Sequence, residues 1–466
     1  MRLIRLISLT CFAALATASC HFQAYRPQPI SPPQTAASLE ARTLNDPGLK
    51  EFIEKSLGHS INWPPEAWDF RLLTLAAFYF SPSLQSARDR LAFAQGGEVT
   101  ARMRPNPTLS FSPGIPSPYL ISLDFLVPVM TAGKRGYQIE TAKNLSEAAR
   151  LNLAQTAWNV RSAIRAALIN EMAAEQAAAV LRSEAQLRRR RVARLGEQLT
   201  AGEIAMPVVT ASRVDLLNAQ LALQASEGQV AQTRSALAAA IGIPISGLGN
   251  AQFAWPALNQ LPALSSLSPR GIQRAAVVNR LDVRQALLQY QAAQSSLQLQ
   301  IARQHPDFNI GPGYQFEEGH SYFAPSFGIT LPIFNRNQGP IAQAEAARKQ
   351  AADNLLAIQA QAIAQCDLAL ARYRTAYQQF QKAQSVLVSF EHIQSPMARR
   401  AVSAGEADRL SLNTVLLQQS AATEVVVTSL LQAQTALGQL EAAVERPLEP
   451  GDAVPLIIAA PKGGIK

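Results

Sequence analysis

The chain repeats itself, and the repeat dictates an architecture. Arg104-Pro105-Asn106-Pro107-Thr108-Leu109 opens a short strand pair that ends at Pro128, and His305-Pro306-Asp307-Phe308-Asn309-Ile310 opens another that ends at Pro332. A long Ala- and Gln-rich stretch follows each pair and is interrupted by the same turn, Ala201-Gly202-Glu203 and then Ala404-Gly405-Glu406. Each half closes alike, Ala239-Ala240-Ile241-Gly242-Ile243-Pro244 against Ala442-Ala443-Val444-Glu445-Arg446-Pro447. A tandem unit of hairpin, long helix, turn and long helix specifies a scaffold rather than a catalytic pocket.

Two periodicities run inside each unit. Tyr119, Ile121, Leu123, Phe125 and Val127 alternate with Ser122 and Asp124. In the second unit Phe323, Phe327, Ile329 and Leu331 alternate with Tyr322, Ser326, Gly328 and Thr330. Period two with one apolar and one polar face describes a sheet. Runs of about nine residues match a membrane-spanning strand. Elsewhere the spacing is helical. Leu153, Ala157, Val160, Ile164 and Leu168 form one coiled-coil-like seam, and Leu430, Ala433, Leu437, Leu440 and Val444 form another. No proline lies between Pro128 and Pro207, so a helix over 135–195 is expected to run about 90 Å at 1.5 Å per residue. Residues 71–103, with Pro82 opening a helix, and 280–304 read as the helices that lead into the hairpins.

The N-terminus reads as an export signal over residues 1–19: Arg2 and Arg5, an apolar run from Leu6 to Ala16, then Thr17-Ala18-Ser19 before Cys20. Small residues before a cysteine are similar to a bacterial lipobox, with Thr17 where Leu is usual, and make Cys20 the expected site of lipid (palmitate) attachment. His21, where inner-membrane retention in enteric-type sorting uses Asp, points to the outer membrane. Residues 20–70 form a Pro-rich leader, extended over 21–48, and an equatorial segment. The first repeat covers 71–250 (hairpin 107–128, long helices 131–243) and a connector covers 251–270. The second repeat covers 271–447 (hairpin 308–332, long helices 337–446), and 448–466 form a C-terminal tail. With Cys11 leaving in the signal and Cys20 acylated, Cys366 has no disulfide partner and reads as a small packed apolar residue.

The net charge of +9 is spread along the chain, so no nucleic-acid footprint is read from it. The histidines His21, His59, His305, His320 and His392 are scattered, and metal-ligand spacing is absent. No nucleotide-binding loop occurs. The expectation is a chain that is not an enzyme, with no cofactor and no tightly held metal.

Four strands cannot close a barrel, and an open edge in lipid leaves backbone groups unpaired at several kcal/mol each. Three chains would pool twelve strands, continued by twelve helical strands of coiled coil. The fold class read here is therefore mainly α with a small β part: a duplicated hairpin/long-helix unit in a trimeric 12-stranded β-barrel continued by a 12-helix periplasmic α-barrel. Ser122 and Asp124 would line the barrel lumen.

The mature chain resembles the TolC-like outer-membrane efflux proteins, in particular the lipoprotein and heavy-metal branches. The resemblance rests on the Arg104–Leu109 segment, Gly133-Lys134-Arg135, the run from Leu331 through Asn335-Arg336-Asn337-Gln338 to Gly339, and the two Ala-Gly-Glu turns. It implies a homotrimer in the outer membrane, lipid-anchored and spanning, with a periplasmic extension and an equatorial belt built from leader, connector and tail. It also implies passive conduction driven by an inner-membrane RND-type pump through a periplasmic adaptor (membrane fusion) protein. The substrate stays open between heavy-metal cations and small toxic organics. Rival readings are an exit duct for type I secretion and a structural envelope lipoprotein.

The turns at 201–208 and 404–411 would be the periplasmic tips. Gly202 and Gly405 suit the left-handed position that ends a helix. Glu203, Glu406 and Asp408 either complement the next helix dipole or ring a pore mouth, where three copies of each favour cations. Arg213 and Arg409 are within reach for ion pairs that hold the tip closed. The basic run Arg188–Arg191 with Arg194 reads as a solvated helix face or a docking surface.

Overall fold

The computed structural model describes residues 24–114 and 120–448. The signal, Cys20, Tyr119 and the tail beyond Leu448 lie outside the described residues.

Residues up to Arg42 form a unit of their own. Its described part is not wholly extended, as the proline content suggested. Ser31 has β-region backbone and Pro32 opens helix α1 (Pro32–Glu40), where the missing proline N–H costs nothing.

The second unit begins at Thr43. Asp46 caps α2 (Pro47–Leu57) by accepting from the Gly48 and Leu49 amides. Asp69 caps α3 (Phe70–Phe80) through the Leu72 amide at 2.7 Å. Ser81 then separates α3 from α4 (Pro82–Arg102), because a residue before proline is driven out of the helical region. The strands β1 (Thr108–Gly114) and β2 (Leu120–Val129) follow. Helix α5 (Lys134–Thr200) is unbroken over 67 residues, about 100 Å at 1.5 Å per residue. A tip turn leads to α6 (Met206–Ile241).

After a connector with two short 3-10 turns, the order recurs. It comprises α7 (Pro269–Asn279), α8 (Leu281–Ala302), four short strands, α9 (Gln338–Ser389), α10 (Ser395–Ser403) and α11 (Arg409–Val444). Unlike α5, the descending helix of this half is interrupted. One wide π-turn occupies Phe390–Gln394 between α9 and α10. Pro396 has no N–H to give to the carbonyl four residues back, and the helix accommodates the loss locally.

The sheet also departs from the sequence expectation of two unbroken hairpins. β3 (Phe308–Gly311) and β4 (Gly313–Glu317) are one strand broken at Pro312, and β5 (His320–Phe323) and β6 (Ser326–Ile329) are one strand broken at Ala324-Pro325. β2 pairs antiparallel with β1 on one side; on the other it pairs with β4 along its first half and β3 at its end. β4 and β3 then pair with β5 and β6. Close approach requires the glycines here: a Cβ on Gly311 would fall 1.6 Å from the Phe125 carbonyl oxygen, and one on Gly313 2.3 Å from that of Ala324.

Helix α5 packs along α4, α6, α8 and α11, while α9 packs along α8 and α11. Each half therefore supports the other through α5. The expected seams are in the core: Ile164, Leu168, Ala433, Leu437 and Leu440 are fully buried. So is Cys366, whose thiol donates to the Ala443 carbonyl and whose burial pushes its pKa up. The core gathers Leu49, Ile53, Leu73 and Leu75 with Leu237 and Ile241 around the middle of α5. Segment and connector meet there, as Trp68 and Phe253 form a parallel bridge.

Candidate functional site

The sheet has two chemically distinct faces. Register aligns Phe111, Leu123, Tyr314 and Phe323 in one row and Val127, Ile310 and Phe327 in another. All seven are exposed. The opposite face carries the row Ser112, Ser122, Gln315 and Tyr322, and beside it Ser110, Asp124 and Gly313. Asp124 Oδ1 accepts the Ser326 hydroxyl at 2.6 Å. An exposed apolar surface of this extent is foreign to a monomer in water. Both outer edges, β1 and β5/β6, have no strand neighbour among the described residues.

At the foot of the sheet Lys134 begins α5. Its buried ammonium donates to Asp307 Oδ1 at 2.7 Å and to the His305 carbonyl at 2.6 Å. The Thr131 amide reaches the same Asp307 oxygen at 2.7 Å. Arg135 donates to the Arg102 carbonyl at 2.6 Å.

At the far end of the helices stand the two tips. Gly202 (φ +77°) and Gly405 (φ +75°) occupy the left-handed region. The Glu203 amide reaches back to the Gln198 carbonyl and that of Glu406 to Ala401, each at 2.9 Å, which closes the helix ends. Asp408 is the N-cap of α11 and accepts both the amide and the hydroxyl of Ser411, which hold its carboxyl below the usual range. Glu203, Glu406, Asp408, Arg213 and Arg409 are all exposed. Among the described residues no ion pair within the chain joins Arg213 or Arg409 to these acids, so the chain alone does not bring them together. The basic run is partly engaged: Arg188 pairs with Glu184 at 2.6 Å and Asp215 at 3.9 Å, and Arg194 with Glu197 at 2.8 Å.

A buried polar cluster joins the halves midway along α5. Arg161 Nη1 is 3.6 Å and Arg165 Nε 3.3 Å from Glu441 Oε2, and none of the three side chains is more than 3% exposed. Arg165 also donates to the Gln434 carbonyl (2.7 Å) and to Gln434 Oε1 (2.8 Å). Arg161 lies over the Phe70 and Trp158 rings, and Arg165 over Trp255. Gly438 leaves room, since a Cβ there would fall 2.7 Å from Arg165 Nη1. Further along α5, Glu171 is fully buried and accepts the Thr233 hydroxyl at 2.6 Å, with Arg234 at 3.8 Å. Burial pushes its carboxyl pKa up, more than Thr233 lowers it.

Reading the sequence noted Lys134 and Asp307 only as parts of motifs, without pairing them, and passed over Arg161, Arg165, Glu171 and Glu441. One signal was there: Arg161, Ile164, Arg165 and Leu168 share an i, i+3, i+4, i+7 stripe, which places two arginines on the face that must be buried.

The fold is similar to those of several solved structures. The crystal structure of CusC, described in terms of transmembrane channel formation, superposes with a TM-score of 0.65 at 18% identity over 84% of this chain and 95% of CusC. The outer membrane protein VceC of Vibrio cholerae gives 0.62 at 19%, over 82% of this chain and 97% of its own. The open MtrE outer membrane channel of Neisseria gonorrhoeae gives 0.63 at 16%, over 92% and 99%. The chain has the TolC-like outer-membrane channel fold. In sequence, it is 26% identical over 283 residues to the cobalt-zinc-cadmium resistance protein CzcC of Cupriavidus metallidurans. That match spans 59% of this chain and 65% of CzcC, less than two thirds of the relative's length. No protein-family model matches the chain. Helix α5 runs from the foot of the sheet at Lys134 to the first tip at Thr200, and the buried Arg161–Glu441 cluster lies between them along it.

Proposed function

We propose that the chain is the outer-membrane channel of a tripartite efflux system, a homotrimer that passively conducts what an inner-membrane pump delivers through a periplasmic adaptor. The observation that carries this is the sheet: one face apolar and exposed, the other polar, and both edges unpaired among the described residues. Hydrocarbon suits the first face and water the second, and pairing β1 of one copy with β5/β6 of the next removes the edges. β2 at 10 residues is long enough to cross a bilayer. Packing supports the same reading. Helix α5 packs extensively along both α4 and α8, whereas among the described residues its counterpart α9 packs extensively along α8 but not along α4, which leaves a flank for a neighbouring copy.

The tips are the natural place for the gate. Three copies of Glu203, Glu406 and Asp408 at a narrow mouth favour cations, and Arg213 or Arg409 of adjoining helices would pair with them to close it. Lipid on Cys20 would add an anchor to the membrane. The similarity to CzcC favours divalent heavy-metal cations as cargo.

Purified full-length protein in planar bilayers tests the reading. A trimer that carries a cation-selective current, larger in the Glu406→Ala, Asp408→Ala variant, supports it. No current at any salt concentration overturns it, and an unchanged current in the variant removes the gate from the tip. Loss of cobalt, zinc or cadmium tolerance on deletion, restored by the wild-type chain, tests the cargo.

A further inference from the structure

We infer that Asp124 sets the ion preference of the strand-lined part of the channel, with Ser326 as its positioning residue; the inference rests on the channel reading above. Segments 108–129 and 308–331 contain no Lys or Arg. Their acids are Asp124, Glu317 and Glu318, and the latter two lie at the β4–β5 turn, at the end of the strands. Asp124 is thus the charge held midway along the polar face, in the same row as Ser110 and Gly313.

The geometry around it is specific. Asp124 belongs to β2 and Ser326 to β6, with the β3/β4 strand between them. Strands two apart are separated by about 9–10 Å, yet Ser326 Oγ lies 2.6 Å from Asp124 Oδ1. Contact is made over Gly313, where a Cβ would fall 2.6 Å from the same carboxylate oxygen. The breaks at Pro312 and Ala324-Pro325 sit at this level, so both interrupted strands and the absent side chain converge on one carboxylate. A hydroxyl that donates to Oδ1 fixes the position of the carboxylate, while leaving Oδ2 for solvent or a passing ion. In a trimer, three such fixed charges with no basic residue beside them attract hydrated cations and repel anions without binding either firmly.

The test separates charge from scaffolding. Asp124→Asn removes the charge and keeps an oxygen for Ser326, whereas Ser326→Ala removes the tie and keeps the charge. Both are made in a Glu203→Gln, Glu406→Gln, Asp408→Asn background, so that tip acids do not mask the strands. The potassium-to-chloride permeability ratio is read from the reversal potential in a salt gradient. Asp124→Asn should lower the ratio by about threefold or more, and Ser326→Ala should leave most of it. Asp124→Ser gives the same reading if the asparagine variant does not assemble. A conducting Asp124→Asn channel with the parental ratio overturns the inference and leaves the channel reading standing. Absence of current from the wild type overturns both.

Discussion

Lys134 Nζ lies 2.7 Å from Asp307 Oδ1, across 173 residues of sequence. The first residue of α5 is thereby held to the residue that opens the second hairpin, and the two repeats share one joint where strands become helices. The pair is asymmetric: the lysine side chain is 5% exposed and the aspartate 45%. Burial works to raise the Asp307 carboxyl pKa, but hydrogen bonds from Lys134 and Thr131 outweigh it and hold the group below its usual range.

Removing either partner should therefore have unequal effects. Without Asp307 a buried ammonium keeps only the His305 carbonyl, whereas without Lys134 a half-exposed carboxylate turns to water. Asp307→Ala should cost about 2–3 kcal/mol and Lys134→Met about 1 kcal/mol after discounting for solvent screening. Denaturation of the detergent-solubilised protein reads both. Since the folded-state pKa of Asp307 is depressed, its contribution is complete above the ordinary value of 3.8 and is lost as pH falls through the lower folded value. The gap between wild type and Asp307→Ala should close in acid; a gap independent of pH would refute the assignment.

Glu441 should be the most sensitive position in the mid-helix cluster. It is the carboxylate that both Arg161 and Arg165 face, and its other oxygen accepts the Leu448 amide at 2.8 Å. Glu441→Gln keeps the shape and removes the charge that both buried guanidinium groups face. The expected loss is about 3–5 kcal/mol. Arg161→Met should cost less, because Arg165 continues to neutralise Glu441 and the aliphatic chain still packs between Phe70 and Trp158. Equal losses in the two variants would show that packing, not charge, dominates here.

These two sites mark the limit of what the sequence displays. The duplicated hairpins, the seams through Ile164 and Leu437 and the turns at Gly202 and Gly405 are local patterns with fixed periods, so they are visible in one dimension. Lys134–Asp307 and Arg165–Glu441 join charges from different repeats, and each charge alone looks like a solvated helix or loop residue. The broken strands had a local signature, Gly311-Pro312-Gly313, yet the alternation on either side of it stays in phase and hides the interruption. The tips are intermediate. Their helix-ending geometry follows from sequence, but among the described residues no ion pair joins Arg213 or Arg409 to the tip acids, and nothing in one chain's sequence says what would.

Glu171 predicts the opposite pH behaviour from Asp307. Its carboxylate is buried against Thr233, with Arg234 at 3.8 Å on α6 and Glu175 on its own helix as the facing charges. Desolvation raises its folded-state pKa above 4.5, so the folded protein takes up a proton more readily than the unfolded chain. Stability from this group is full below pH 4.5 and falls as pH rises through the folded value. Glu171→Gln, which retains an acceptor for Thr233, should raise stability at neutral pH and flatten the dependence above pH 4.5. A destabilised glutamine variant would mean that the Arg234 contact outweighs burial.

At the tip, two substitutions separate the helix cap that Asp408 supplies from the charge it carries. Its side chain accepts the Ser411 amide at 2.7 Å and the Ser411 hydroxyl, and these bonds hold its carboxyl below the usual range. Asp408→Ala removes the cap and the charge together; loss of the cap costs the start of α11 about 1 kcal/mol. Asp408→Asn caps nearly as well and removes only the charge. If three ionised Asp408 side chains tune the mouth, both variants should lose cation preference to the same extent, and only the alanine variant should show earlier proteolysis at 404–411. A channel changed by alanine but not by asparagine would assign Asp408 to the helix start alone and leave Glu203 and Glu406 as the acids at the mouth.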